Sequence, residues 1–236
     1  MREKRLIYEN HLRSKEDVSD WIIEGEVLQS FDQGLILENA APESLGDHAH
    51  FTMWLPECFP DNLLIEWEFK PLREPGLCML FFSALAKSGE SIFSSQLAKR
   101  DGYYPQYHSG DINAYHISYF RHKYESERAF RTCNLRKSAG FHFITQGADP
   151  LPPVEDVIDA YRMSVDKFQG KIRFSINDLL IFEWQDDDTS FGPILTTGAI
   201  GFRQMAPMKA RYANLKVYEW IKKNKEDEYG FKYLDE

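Results

Sequence analysis

The chain has 236 residues, a net charge of −9 at pH 7, and 43% apolar and 14% aromatic residues. That is long enough for a substantial core, and all-β sandwiches of this size are usually single domains. The acidic balance argues against non-specific nucleic-acid binding, and no apolar run approaches the about 20 residues that a membrane helix needs.

The first residues, MREKRLIYEN, contain no apolar stretch of the secretory type, so a cytoplasmic protein is expected. Cys58, Cys78 and Cys133 are an odd, widely spaced set. They read as reduced thiols, not as a disulfide framework or a zinc site. In chain order, Leu6–Tyr8, Trp21–Ile23 and Val27–Phe31 read as strands, with a polar loop or helical turn over Ser14–Asp20. Gly34 marks a hairpin turn before a strand over Leu35–Glu38. His48–Leu55 alternates until Pro56 ends it. Asn62–Lys70 is the cleanest period-two segment, with Leu63, Ile65, Trp67 and Phe69 on one face and Glu66, Glu68 and Lys70 on the other. Gly76–Leu85 is a continuous apolar run, read as a central strand because its neighbours are strands.

Residues 86–107 form a loop long enough to be functional. A strand over Asn113–Arg121 follows, then a charged loop over Lys123–Arg128 and short strands over Arg131–Lys137 and Gly140–Gln146. GADPLPP is a firm break, with a helical turn expected over Val154–Asp159. Ala160–Asp166, Lys171–Ile176, Leu179–Trp184, Thr197–Gln204 and Arg211–Tyr218 read as strands. Asn177-Asp178 is a two-residue turn that tolerates positive φ. About a dozen strands linked by Gly, Pro, Asn and Asp turns argue for an all-β, two-sheet sandwich. One domain is expected over 1–220, with a charged C-terminal tail over 221–236.

The most informative stretch is YHSGDINAYHISYFR, Tyr107–Arg121. Side chains alternate faces in a strand. One face of it carries Asn113, Tyr115, Ile117, Tyr119 and Arg121, which looks like a ligand surface. The other carries Ala114, His116, Ser118 and Phe120, small and mixed enough to lie against a core. The bland alternative is that the tyrosines and histidines are ordinary hydrogen-bonded sheet residues. Between Lys99 and His142 stand eight Lys/Arg against four Asp/Glu, a local charge of +4 that leaves −13 for the rest. Four of the seven histidines fall in the same window. A basic, histidine-rich region in an acidic protein points to an anionic ligand.

QYHSGDINAYHISY, RTCNLRKSAGFH and GAIGFRQM…ARYANLKVYE together resemble the YesU-like family, as do DWIIEG and LPECFPDNLLIEWEFKP. The resemblance runs from about Trp21 to Tyr218. It implies the concanavalin A-like lectin/glucanase jelly roll: two curved antiparallel sheets, one of them concave and forming a carbohydrate cleft. It also implies a setting in the breakdown of pectin and other plant or algal polysaccharides. The family brings no established catalytic residues to carry over.

Three functions fit these residues. A lyase acting on a uronate sugar needs a base and an acid, for which His108, His116, Tyr115 and Tyr119 are the candidates. It also needs cations or amides on the carboxylate, for which Arg121, Arg131, Arg136, Asn113 and Asn134 serve. Asp111 and Gln204 complete the expected substrate-binding set. Gln106-Tyr107-His108 matches the Gln-x-His signature of jelly-roll alginate lyases, without the companion motifs. A glycoside hydrolase needs two carboxylates. Glu66 and Glu68 share a strand face about 6.6 Å apart, though a solvated face is the plainer reading. A non-catalytic sugar-binding module would stack sugars on Tyr115, Tyr119, Trp54 and Trp67, although Trp67 shares its face with Leu63, Ile65 and Phe69 and reads rather as core. The density of histidine and arginine favours an enzyme. His48-Ala49-His50, two imidazoles on one strand face, and Asp186-Asp187-Asp188 are weak metal signals, so no metal or other cofactor is assigned. The expected partner is an anionic oligosaccharide, with neither nucleic acid nor membrane.

Overall fold

The computed structural model describes residues 2–222. Fifteen strands run in chain order: β1 (Arg2–Asn10), β2 (Ile22–Glu24), β3 (Val27–Phe31), β4 (Leu35–Asn39), β5 (Phe51–Trp54), β6 (Leu63–Arg73), β7 (Leu77–Ala86), β8 (Ile112–Tyr119), β9 (Thr132–Ser138), β10 (His142–Ala148), β11 (Tyr161–Phe168), β12 (Lys171–Ile176), β13 (Leu179–Gln185), β14 (Ala199–Met205) and β15 (Lys209–Lys222). Two short helices, α1 (Pro105–His108) and α2 (Glu125–Phe130), lie in the loops around β8. Most of the expected tail, residues 223–236, lies outside the described residues.

The strands form two antiparallel sheets. One runs β13-β12-β11-β6-β15-β4-β3, with β1 added alongside β15. The other runs β10-β9-β8-β7-β14-β5-β2. Between them lies the main core, built from alternate residues of both sheets, such as Ile65, Trp67 and Phe69 of β6 against Leu80, Phe82 and Phe202. The alternation of β6 is the one the sequence announces, with Trp67 inside and Glu66 and Glu68 on the outer face. The turn at Asn177-Asp178 has φ of 48° and 66°, the positive values a two-residue hairpin requires.

The seven-stranded sheet is covered on both faces. Its inner face meets the first sheet. Its outer face carries a second apolar cluster that includes Trp54, Phe81, Ala114 and Tyr107, closed over by the 87–111 segment. That double burial explains why β7 reads as an unbroken apolar run.

Several local expectations are corrected. The segment read as a strand from His48 begins only at Phe51, because Glu43–Ala49 is 3₁₀-helical with Gly46 at φ +58°. His48 and His50 therefore do not share a strand face. His50 is buried, while His48 stacks on Tyr103 at 4.2 Å. The charged loop after Arg121 contains α2, whose entry is fixed by Glu127 accepting from the Tyr124 N–H at 3.2 Å. The triple aspartate is used by the protein itself. Asp186 accepts from Lys137 at 2.7 Å and Tyr115 at 2.5 Å, Asp187 from the Thr189 N–H at 3.0 Å, and Asp188 from the Ile194 N–H at 2.7 Å.

The largest correction concerns β8. Tyr115, Ile117 and Tyr119 belong to the core between the sheets, and Ala114 and His116 stand on the outer face. The two faces are the reverse of those expected. The phenols bury because their rings are large and one hydroxyl finds partners: Tyr115 donates to Asp186 and accepts from the Leu195 N–H at 3.0 Å. On the outer face, Ala114 joins the second apolar cluster and His116 packs edge-on to Phe81.

Candidate functional site

Register places side chains on the outer face in two cross-sheet rows. One runs Trp54, Gly201, Phe81, His116, Arg136 over β5, β14, β7, β8 and β9. The adjacent row runs Thr52, Arg203, Met79, Ser118, Asn134 over the same strands. Gly201 is needed in the first row, since a Cβ there would lie 2.4 Å from the Trp54 ring. The second row opens into a cleft of about 230 Å³. Its floor carries Met79, Ser118, Asn134 and Arg136, and its walls are Tyr104, Phe141, Tyr124 and Asp47. Larger hollows lie elsewhere: one of about 260 Å³ on the outer face of the other sheet, lined by Glu66, Glu68, Arg162, Asn214 and Lys216, and two of about 340 and 430 Å³ on either side of Phe93, lined in part by the covering segment. The two beside Phe93 offer mainly aliphatic and small side chains with Glu57 and Lys99 among them, and Arg100 there is paired with Glu24 at 2.7 Å.

Arg136 is the cation of the cleft. Its guanidinium lies 4.0 Å from the Phe141 ring centre, and Nη1 donates to the Phe141 carbonyl at 3.2 Å. Burial pulls its pKa down from the usual arginine value without discharging it. It makes no ion pair with a carboxylate among the described residues, unlike Arg121. Arg121 is held by Glu127 at 2.7 Å and donates to Thr132 at 2.8 Å. Asn134, with its amide oxygen turned to Arg121, accepts from Nη1 at 3.0 Å.

Two imidazoles stand near. His108 ends α1 and is half-buried, its ring centre 4.1 Å from Phe141 and 4.8 Å from Tyr104. Its Nδ1 meets the Ser109 hydroxyl at 2.7 Å. Burial lowers its pKa, with Arg203 and Arg136 acting in the same direction, so it is neutral at pH 7. His116 is 2% exposed, and neither of its ring nitrogens has a partner. Burial, reinforced by Arg136, holds its pKa well below the usual histidine value. The Tyr104 hydroxyl is pushed up to about 12 by burial, so it is a hydrogen-bond donor at neutral pH and not a base.

Of the residues expected at the site, Arg121, Asn134 and Arg136 come together in the cleft, with His116 beneath and His108 beside it. The others do not join them. Tyr115 and Tyr119 lie in the core, and burial raises both phenols far above the usual range, which removes them as acid or base. Gln204 also points inward, donating to the Leu37 carbonyl at 3.2 Å and accepting from the Tyr212 hydroxyl at 3.0 Å. Asn113 accepts from the Ala139 N–H at 3.2 Å at the strand's end. Asp111 and Arg131 are exposed outside the cleft. Glu66 and Glu68 lie on the outer face of the other sheet, where Glu68 accepts from Asn214 at 2.9 Å.

Sequence reasoning missed Arg203, Tyr104, Ser118, Asp47 and Tyr124. A signal existed for two of them. Arg203 is the lone charge in the apolar strand AIGFRQM, and Tyr104 sits in the long loop already read as functional. The arrangement as a whole presents guanidinium, amide and hydroxyl donors beside aromatic faces. The carboxylates of Asp47 and Glu127 share the lining, and Glu127 is already paired with Arg121.

Comparison with known proteins agrees with this fold. A solved structure from Bacillus subtilis, described as a protein of unknown function with a galectin-like fold, superimposes with a TM-score of 0.89 at 53% identity, covering 94% of this chain and all of the other. A carbohydrate-binding module, CBM66, also from Bacillus subtilis, shares the fold at 12% identity and a TM-score of 0.53, over 83% of this chain and 92% of its own. By sequence, the chain is 53% identical to the uncharacterized protein YesU of Bacillus subtilis (strain 168) over 222 residues, 94% of this chain and 99% of YesU. The family model described as a domain of unknown function, DUF1961, matches residues 5–217. With that match over most of its length, the chain belongs to the DUF1961 family.

Proposed function

We propose that the protein binds an anionic, uronate-containing oligosaccharide in the cleft of the seven-stranded sheet. The observation that carries this reading is Arg136: a charged, half-buried guanidinium with no carboxylate partner, beside Asn134 and Ser118 and framed by Tyr104 and Phe141. Aromatic faces suit the apolar faces of sugar rings, and an arginine suits a carboxylate. Support also comes from fold neighbours whose names concern sugars, the CBM66 module among them. On the same reading the protein serves polysaccharide breakdown, the setting implied by the YesU-like resemblance.

A second reading, β-elimination, is favoured by His108. It is neutral and stands on the rim beside Phe141, the ring that also packs on Arg136. In that reading the imidazole takes the proton next to the uronate carboxylate, a C=C bond forms, and the C–O bond to the leaving sugar breaks. The Tyr104 hydroxyl supplies the leaving oxygen with its proton. The hydrolase reading needs a different site: Glu66 and Glu68 line the hollow of about 260 Å³ on the outer face of the other sheet, away from the arginine cleft.

The test is calorimetric titration with pectic, alginate and ulvan oligomers against neutral ones of equal length. Tighter binding of the acidic set is expected. Equal binding of both sets refutes the charge argument. Absorbance from an unsaturated uronate identifies a lyase, new reducing ends without it identify a hydrolase, and binding alone identifies a module.

A further inference from the structure

Arg203 lies one strand from Met79 and two from Ser118, in the row that opens into the cleft. It has no exposure to solvent. Nη1 donates to Thr52 Oγ1 at 3.1 Å, while Nε and Nη2 have no hydrogen-bond partner. The guanidinium lies 4.9 Å from the ring centres of both Tyr104 and Tyr107. The carboxylates of Glu24 and Asp47 act on its charge from nearby, but neither hydrogen-bonds it. Glu24 accepts from Trp54 at 2.9 Å, Tyr107 at 2.8 Å and Arg100 at 2.7 Å. Asp47 stands 3.3 Å from His50. A buried guanidinium with two nitrogens left unbonded is strongly unfavourable.

The two free nitrogens are informative as a pair. Nε–H and one Nη2–H share an edge of the guanidinium, and that edge matches both oxygens of one carboxylate. The opposite branch, Nη1, is tied to Thr52 of β5, which leaves the Nε–Nη2 edge as the unpaired one, beneath the Tyr104 ring that walls the cleft.

We propose that Arg203 is the carboxylate-reading residue of the cleft, taking a uronate carboxylate side-on through Nε and Nη2 between the rings of Tyr104 and Tyr107. Arg136 then serves the outer part of the ligand. His116, unpartnered in the next row, offers one donor and one acceptor to the same sugar's hydroxyls. Tyr104 forms the cleft wall over Arg203 and turns aside as the carboxylate enters. The proposal rests on the reading of the cleft as a saccharide site.

The test uses trimers of galacturonate and of mannuronate, each against its own methyl ester, with the variants Arg203→Lys and Arg203→Gln. Lysine keeps the charge but not the fork, so Arg203→Lys is expected to weaken the acidic trimer about 10-fold or more and leave the ester unchanged. In the wild type, the Arg203 Nε–H resonance is expected to shift with acid and not with ester. Arg203→Gln is expected to melt at or above the wild-type temperature, because a buried charge with two unbonded N–H groups has been removed; a purely structural arginine would lower it. Wild-type affinity for the acid in Arg203→Lys, or an unmoved Nε–H signal on binding, overturns the subsite and leaves the saccharide reading standing. A wild-type protein that binds neither acid nor ester overturns both.

Discussion

Arg136 brings its charge into the cleft without a carboxylate of the protein's own, and that determines what its removal does. Arg136→Ala should cost about 1.5–3 kcal/mol towards acidic oligomers, roughly 10- to 100-fold in Kd, and little towards neutral ones. Calorimetry on both ligand classes checks this, and equal losses would show that the residue acts through packing on Phe141. His50 supplies a test of a different kind. Its Nδ1 accepts from the Ala206 N–H at 2.9 Å, and Nε2 is not aligned for a hydrogen bond with Asp47. Burial, aided by Arg203, lowers its pKa from the usual 6.5 to about 3. Between those values the unfolded chain binds a proton that the folded chain refuses, so stability is full above pH 6.5 and falls as the pH drops. His116 contributes in the same direction. Each should add a slope of about 1.4 kcal/mol per pH unit below pH 6.5. His50→Asn keeps the acceptor for Ala206 and should remove one such contribution from urea unfolding measured between pH 6.5 and 5. An unchanged slope would place the titration elsewhere.

Among the elements, β8 and β9 meet the first sheet through a buried ionic contact. Lys137 donates to Asp186 at 2.7 Å and to the Gly192 carbonyl at 2.9 Å, and Tyr115 donates to the same carboxylate. The charged ends are 2% and 0% exposed. Removing one partner leaves the other charge buried alone, which costs about 3–5 kcal/mol, whereas replacing both with apolar groups costs far less. Asp186→Ala should therefore destabilise by that amount in urea unfolding, and Lys137→Met with Asp186→Leu should recover at least half of it. A double variant as unstable as the single one would mean that the loop from Asp186 to Leu195 depends on the carboxylate for its shape. β8 also shows why an element can be found without being oriented. Its length and alternation are plain in INAYHISY. Its polar-aromatic face turned inward because Tyr115 found Asp186 some 71 residues on, a partner that no local pattern announces.

At the scale of the whole molecule, the local positive charge of the Lys99–His142 window sits in a chain of net charge −9. An acidic oligosaccharide is therefore repelled at long range and attracted at contact. At 0.01 M salt the screening length is about 30 Å, comparable to a small domain, and at 0.1 M it is about 10 Å. Raising salt across that range should increase the association rate for an acidic oligomer, the opposite of ordinary electrostatic steering, and change the dissociation rate much less. Stopped-flow binding at the two concentrations checks this. A falling association rate would show that the cleft's own field outweighs the molecule's.

The alternation of β6, the hairpin at Asn177-Asp178 and the long motifs that resemble YesU-like proteins were enough to establish an all-β sandwich and its family from sequence alone, because periodicity and turn chemistry are local properties. They also placed Arg136, Asn134 and His116 in one short stretch, where the cleft was found. Tertiary structure alone decided which face of β8 meets that cleft, and it alone brought Tyr104 and Asp47 to it from distant parts of the chain, with Arg203 buried under Tyr104. The physical reason lies in the seven-stranded sheet, which buries both faces, one against the other sheet and one under the 87–111 segment. Alternation then separates two sets of side chains but carries no sign of which set faces the ligand.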